Sequence, residues 1–161
     1  MKWLKAALVG ALGSFVMFFI MLIGIHVTGI APFNTPPSAA FLKQFGLAVG
    51  PLPLIIHFGY GATWSIVLVA LWGADTDLRA GLTLAGGLWL FMMLVYSPLI
   101  GWGVFGFGGT GHSLAPTDPL YLGSPVKYIV ATFVLHLIYG SIIGGLNPMW
   151  IEVHSTNQAS A

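Results

Sequence analysis

Leu4–Ile30 reads LKAALVGALGSFVMFFIMLIGIHVTGI, and after Lys5 it contains no Asp, Glu, Lys or Arg. A hydrocarbon core of about 30 Å is crossed by roughly 20 helical residues at 1.5 Å rise each. The stretch is therefore long enough to span a bilayer as one helix. It lacks the strict alternation of a barrel strand, and a helix satisfies its backbone polar groups internally. Three further stretches meet the same test: about Gly50–Trp72, Leu78–Gly103 and Tyr128–Leu146, all without a charged side chain in the interior.

The composition points the same way. Five Lys or Arg and four Asp or Glu make the chain only 6% charged, against about 25% in a soluble domain. Apolar residues supply 57% of it and mean hydropathy is +0.93. So few charges cannot cover a water-soluble fold of this size. A soluble enzyme, a disordered chain and a nucleic-acid binder with a basic stripe are all excluded. There is no Cys, hence no disulfide, thiolate metal site or Cys nucleophile. The expected fold is all-α, an integral membrane four-helix bundle over residues 1–150 with a polar tail at 151–161.

Local chemistry suggests where the helices end. Pro51 and Pro53 suit a first turn, where missing N–H groups cost nothing. Asp75 or Thr76 is the expected cap of the third helix. Pro98 should kink that helix by removing the bond to the Leu94 carbonyl, and Asn147-Pro148 should stop the fourth. Thr35-Pro36-Pro37-Ser38 reads as the start of a short helix with Phe41, Leu42 and Phe45 on one face, lying in the membrane interface. The Gly-rich loop from Val104 to Lys127 reads as irregular. Its Gly106–Gly111 run lacks the Lys-Ser/Thr ending of a phosphate loop, so no nucleotide role follows.

Lys2, Lys5 and Arg79 fall on one side and Lys43 and Lys127 on the other. The positive-inside rule then places both termini in the cytoplasm. Trp3, Trp72 and Trp150 would form an inner aromatic belt, Trp102 and Tyr128 an outer one. The first apolar run far exceeds the 7–15 residues of a signal h-region, which suggests a retained helix.

The most specific motif occurs twice: His57-Phe58-Gly59-Tyr60-Gly61 and His136-Leu137-Ile138-Tyr139-Gly140, each H-x-x-Y-G. Small residues follow at helical spacing, Ser65 after Gly61 and Gly144 after Gly140. The chain thus reads as two helical hairpins in parallel orientation, with long outer loops. His and Tyr three apart share one helix face, and the adjoining Gly admits a neighbouring backbone. Ala6, Gly10 and Ser14 give the first helix a similar stripe. Distances from the span ends place His26, His57, Tyr60, Tyr96 and His136 in one outer-leaflet polar layer, with Tyr139 completing the second motif.

Three uses of such a layer are open. The pairs can cross-link helices by hydrogen bonds; two imidazoles can ligate haem b or another metal; His and Tyr can bind a quinone or lipid. Against haem, no Arg lies near the layer to meet its propionates. His112 and His154 read as solvated residues. Asp75, Asp77, Asp118 and Glu152 all lie outside the spans, which leaves a proton-coupled pump little to work with. No Ser-His-Asp or H-E-x-x-H arrangement occurs, so an enzyme is not expected.

On the two pentapeptides, the chain resembles an uncharacterised family of small four-helix bacterial inner-membrane proteins with repeated H-x-x-Y-G motifs. The resemblance implies a four-helix architecture and brings no activity or ligand with it. The expected function is a non-catalytic subunit or accessory scaffold of a larger membrane complex. Its expected partners are the bilayer and another membrane protein or a second copy, with no nucleic acid. The alternative is a haem-, metal- or quinone-binding redox module.

Overall fold

Residues 1–151 are those described by the computed structural model. The polar tail beyond them, with Glu152 and His154, lies outside the described residues.

α1 (Lys2–His26) closes where the Val27 and Thr28 N–H groups both bond the Ile23 carbonyl, and Gly29 follows at φ +64°. Left-handed backbone of that kind is open to Gly at little cost and stops a helix. α2 (Pro37–Gln44) is the short helix foreseen after Pro36. α3 (Leu52–Trp72) starts as its prolines dictate, with Pro51 preceding it and Pro53 in its first turn. A 3-10 turn at Gly73–Asp75 leads into α4 (Leu78–Phe91). The cap of α4 is Asp77, not Asp75 or Thr76: its carboxylate accepts the Ala80 N–H at 2.8 Å. Thr76 instead donates its hydroxyl to the Gly73 carbonyl at 2.8 Å.

α4 runs on through a π-turn at Met92–Tyr96 into a last turn, α5 (Ser97–Leu99), so its irregularity precedes Pro98. A short α6 (Gly109–Ser113) lies in the Gly-rich loop, and α7 (Pro125–Ile151) ends the described chain. α7 passes through Pro148, contrary to the stop expected at Asn147-Pro148. The missing N–H forfeits one bond in the final turns, where little helix remains to be disrupted. Asn147 is fully buried there and donates to the Ser65 hydroxyl at 2.9 Å and to the Ile143 carbonyl at 2.8 Å.

Four of these helices are long and apolar enough to cross a membrane. α1 packs along both α3 and α7, and α4 packs along α7, whereas α3 and α4 hardly meet. The helix contacts therefore lack the equivalence of a full twofold arrangement. Within each sequential pair, however, the crossing is built alike. A Cβ on Gly10 would lie 2.6 Å from the Ser65 Cβ and 2.9 Å from the Ala62 Cα; one on Gly61 would lie 2.9 Å from the Ser14 Cβ. Across α4 and α7, a Cβ on Gly81 would lie 2.6 Å from the Gly144 Cα, and one on Gly140 2.6 Å from the Ala85 Cβ. Small residues four apart on both helices let the backbones touch, the packing mode that replaces hydrophobic drive in lipid.

The loop end carries a folded cap, where the Gly-rich loop was expected to be irregular. Phe33 forms an isolated bridge with Leu122, and the Gly123 N–H bonds the Pro32 carbonyl at 2.8 Å. Trp102 and Tyr128, expected in an outer aromatic belt, are fully buried here. Trp102 lies 5.8 Å from Phe33 and 5.3 Å from Tyr128, centroid to centroid, and its indole N–H donates to the Leu120 carbonyl at 2.8 Å. His112, read as solvated, is half-buried with its Nε2 2.8 Å from the Gly106 carbonyl. At the opposite end Trp3 and Trp150 are exposed, and the Lys5 ammonium donates to the Trp150 carbonyl at 3.1 Å.

Candidate functional site

Where α3 and α4 separate, a cavity of about 130 Å³ opens between them. Its rim carries Ile56 and Tyr60 of α3 and Phe91 of α4, all exposed. Its back wall is α1 and α7, and the cap closes its loop end with Phe33, Pro37 and Ser38. A void of this size holds roughly one aromatic ring.

Of the residues the sequence singles out, His57, Tyr60, Tyr96, His136 and Tyr139 all line this cavity. His26 does not: it is exposed in the last turn of α1. The packed face of α1 carries Gly10, Ser14, Met21 and Gly24, and a residue two positions beyond Gly24 points about 200° away from it. His57 and His136 also start from unlike depths in their helices. His57 lies in the second turn of α3, while His136 lies about three turns into α7, because α7 begins at Pro125. Gly61, Ser65, Gly140 and Gly144 lie in the helix crossings.

His57, His136, Tyr139, Tyr96 and Thr132 are each held by a backbone carbonyl. His57 Nε2 lies 3.1 Å from the Ser14 carbonyl of α1, and its ring packs 5.3 Å from Phe18. His136 Nδ1 lies 2.8 Å from the Thr132 carbonyl one turn earlier. The Tyr139 hydroxyl donates to the Gly61 carbonyl at 2.5 Å, so the tyrosine of one motif seals the glycine of the other. Tyr96 donates to the Pro37 carbonyl at 3.1 Å and stacks on Phe41 at 5.4 Å, tying α2 to the end of α4. Thr132 donates to the Tyr128 carbonyl at 2.6 Å and accepts the Trp89 indole N–H at 3.2 Å.

α2 was expected as an interfacial helix. It buries Ser38, Ala39, Ala40 and Leu42 against the protein, half-buries Phe41 and leaves Phe45 exposed. Sequence reading missed Ser14, Ser38, Thr132 and the thioethers Met17, Met21 and Met92 as lining residues. Thr132 had a signal, since it stands one turn before His136 on the same face. Ser38 had none, because α2, which carries it, is held against the cavity by contacts remote in sequence such as Tyr96 to the Pro37 carbonyl.

Among the described residues, none of those lining the wall is a carboxylate, Lys or Arg. Among the described residues no three His, Asp or Glu side chains are grouped to hold a metal ion. A ring-sized cavity without a cation on its wall fits a single ring or chain end, not a tetrapyrrole bearing two propionates. No family model, curated protein or solved structure matches this chain.

Proposed function

We propose that this protein is a non-catalytic membrane module that holds an apolar, lipid-phase small molecule in the cavity between α3 and α4, as an accessory part of a larger membrane complex. The observation that carries the reading is the cavity itself. It brings both H-x-x-Y-G motifs and Tyr96 to one apolar chamber, whose exposed rim lies on two helices that hardly meet. Apolar walls with a few fixed polar groups are the usual form of a small-molecule site. A mouth between spanning helices would admit its ligand sideways from the bilayer.

In this reading the four spans form a bundle of two like hairpins, and the matched glycine crossings support descent from one duplicated hairpin. The membrane is a bacterial-type inner membrane with both termini cytoplasmic, supported by Lys2, Lys5 and Arg79 at the terminal end. The chain has no native Cys, so single-cysteine reporters test the orientation directly. On intact cells, Thr117→Cys should react with a membrane-impermeant maleimide and Asp75→Cys should not; the reverse pattern inverts the topology. The functional reading itself is tested by native mass spectrometry of the full chain released from mild detergent. An adduct of one small apolar molecule per chain is expected, within a larger assembly at native expression. A bare, solitary monomer would sink both parts of the proposal.

A further inference from the structure

Resting on that reading, we infer that the cavity selects molecules whose buried end donates a hydrogen bond, and that the donor is the hydroxyl of a phenol-type ring seated on His136 Nε2. The two imidazoles present acceptors to the cavity. A backbone carbonyl can only accept, so the contact of His136 Nδ1 with the Thr132 carbonyl fixes the proton on Nδ1 and leaves Nε2 a bare acceptor. The contact of His57 Nε2 with the Ser14 carbonyl likewise leaves Nδ1 bare. Tyr96, Tyr139 and Thr132 also give their hydroxyl protons to backbone carbonyls. The hydroxyls of Ser14, Ser38 and Tyr60 donate to nothing among the described residues, and beside them the two imidazoles offer bare acceptors.

His136 is the decisive group. It is only 5% exposed, lines the cavity, and its Nε2 has no hydrogen-bond partner among the described residues. An acceptor held in apolar surroundings without a donor is unfavourable until something donates to it. On the cap side, the Ser38 hydroxyl is buried without a partner among the described residues, and its residue lines the same chamber. A quinone carbonyl would meet the bare lone pair of His136 and gain nothing there, whereas a phenol or quinol supplies the missing proton. The cavity volume of about 130 Å³ accommodates about one ring, with an alkyl tail leaving between α3 and α4.

The test uses the full chain in detergent micelles, titrated with 4-butylphenol, with 4-butylanisole and with 1-heptanol, against micelles alone. The anisole keeps the ring and blocks the donor; the alcohol keeps a donor and removes the ring. Butylphenol is expected to bind about tenfold more tightly than butylanisole, the ratio one hydrogen bond supplies, and more tightly than heptanol. His136→Phe, checked for helix content and elution volume, should bind phenol and anisole alike. Equal affinity of phenol and anisole for the wild type would overturn the donor rule while leaving the cavity reading intact. Heptanol binding as tightly as butylphenol would overturn the ring. If no probe binds above the micelle baseline, the donor rule and the cavity reading both fail. The wild-type comparison decides these outcomes even if the variant does not fold.

Discussion

Gly81→Val is expected to destabilise the protein by about 3 kcal/mol, while Gly87→Val on the same helix should change stability by less than about 1 kcal/mol. Both glycines belong to α4, so helix propensity is nearly the same at both and only packing differs. A Cβ on Gly81 would sit 2.6 Å from the Gly144 Cα and 2.8 Å from the Gly144 nitrogen, atoms that cannot swing aside. The helices must part for the larger residue to enter, which breaks the α4–α7 contact along its length. Gly87 is exposed, with nothing within 4 Å of an added Cβ. The same contrast applies on α7 between Gly140, whose Cβ would meet the Gly81 carbonyl oxygen at 2.7 Å, and Gly145, which faces open space. Thermal unfolding in detergent, followed by helical circular dichroism, measures it. Indistinguishable midpoints for Gly81→Val and Gly87→Val would mean that the backbones do not touch at this crossing.

Trp102→Ala is the second large effect, at about 3–5 kcal/mol for a fully buried aromatic residue. The indole has no exposed surface, stacks on Phe33, meets Tyr128 edge-on, and holds the Leu120 carbonyl by its N–H. A Cβ on Gly111 would lie 2.9 Å from the indole Cδ1, so the short α6 rests directly on the ring. Truncation empties the centre of the cap and leaves the part-buried Leu120 carbonyl without its donor. Trp150→Ala serves as the reference, because that side chain is 45% exposed at the other end and should cost well under about 1 kcal/mol. If the two alanine variants unfold at the same temperature, the loop end is not a packed cap.

The contrast between these residues shows what the sequence could and could not disclose. The four spans were legible because span length and absence of charge are local properties. Their ends were less so. α1 stops at His26 rather than near Ile30 because Gly29 takes a left-handed backbone, and α7 begins at Pro125 and survives Pro148. The small residues at Gly61, Ser65, Gly140 and Gly144 were visible from their spacing, and they do lie where helices cross. The polar layer was legible for the residues of the two motifs and Tyr96, because His and Tyr three apart must share a face. It failed for His26, where depth was reckoned without azimuth. The cap was not legible at all. Phe33 and Leu122 meet across long chain separation, and a run of glycines carries no pattern that announces what it packs against. The parting of α3 from α4, which makes the cavity, is likewise a property of the assembled helices and of no one segment.

On the proposed reading, a lipid-phase molecule occupies the space between α3 and α4. Ile56 offers the most direct test, because it lines the cavity while being 37% exposed at its rim, so Ile56→Trp can fill the mouth without disturbing a packed interior. Native mass spectrometry of the two full chains, released from the same mild detergent, should show one small apolar adduct per wild-type chain and its loss from Ile56→Trp. Equal retention by both chains, or none by either, would contradict the account.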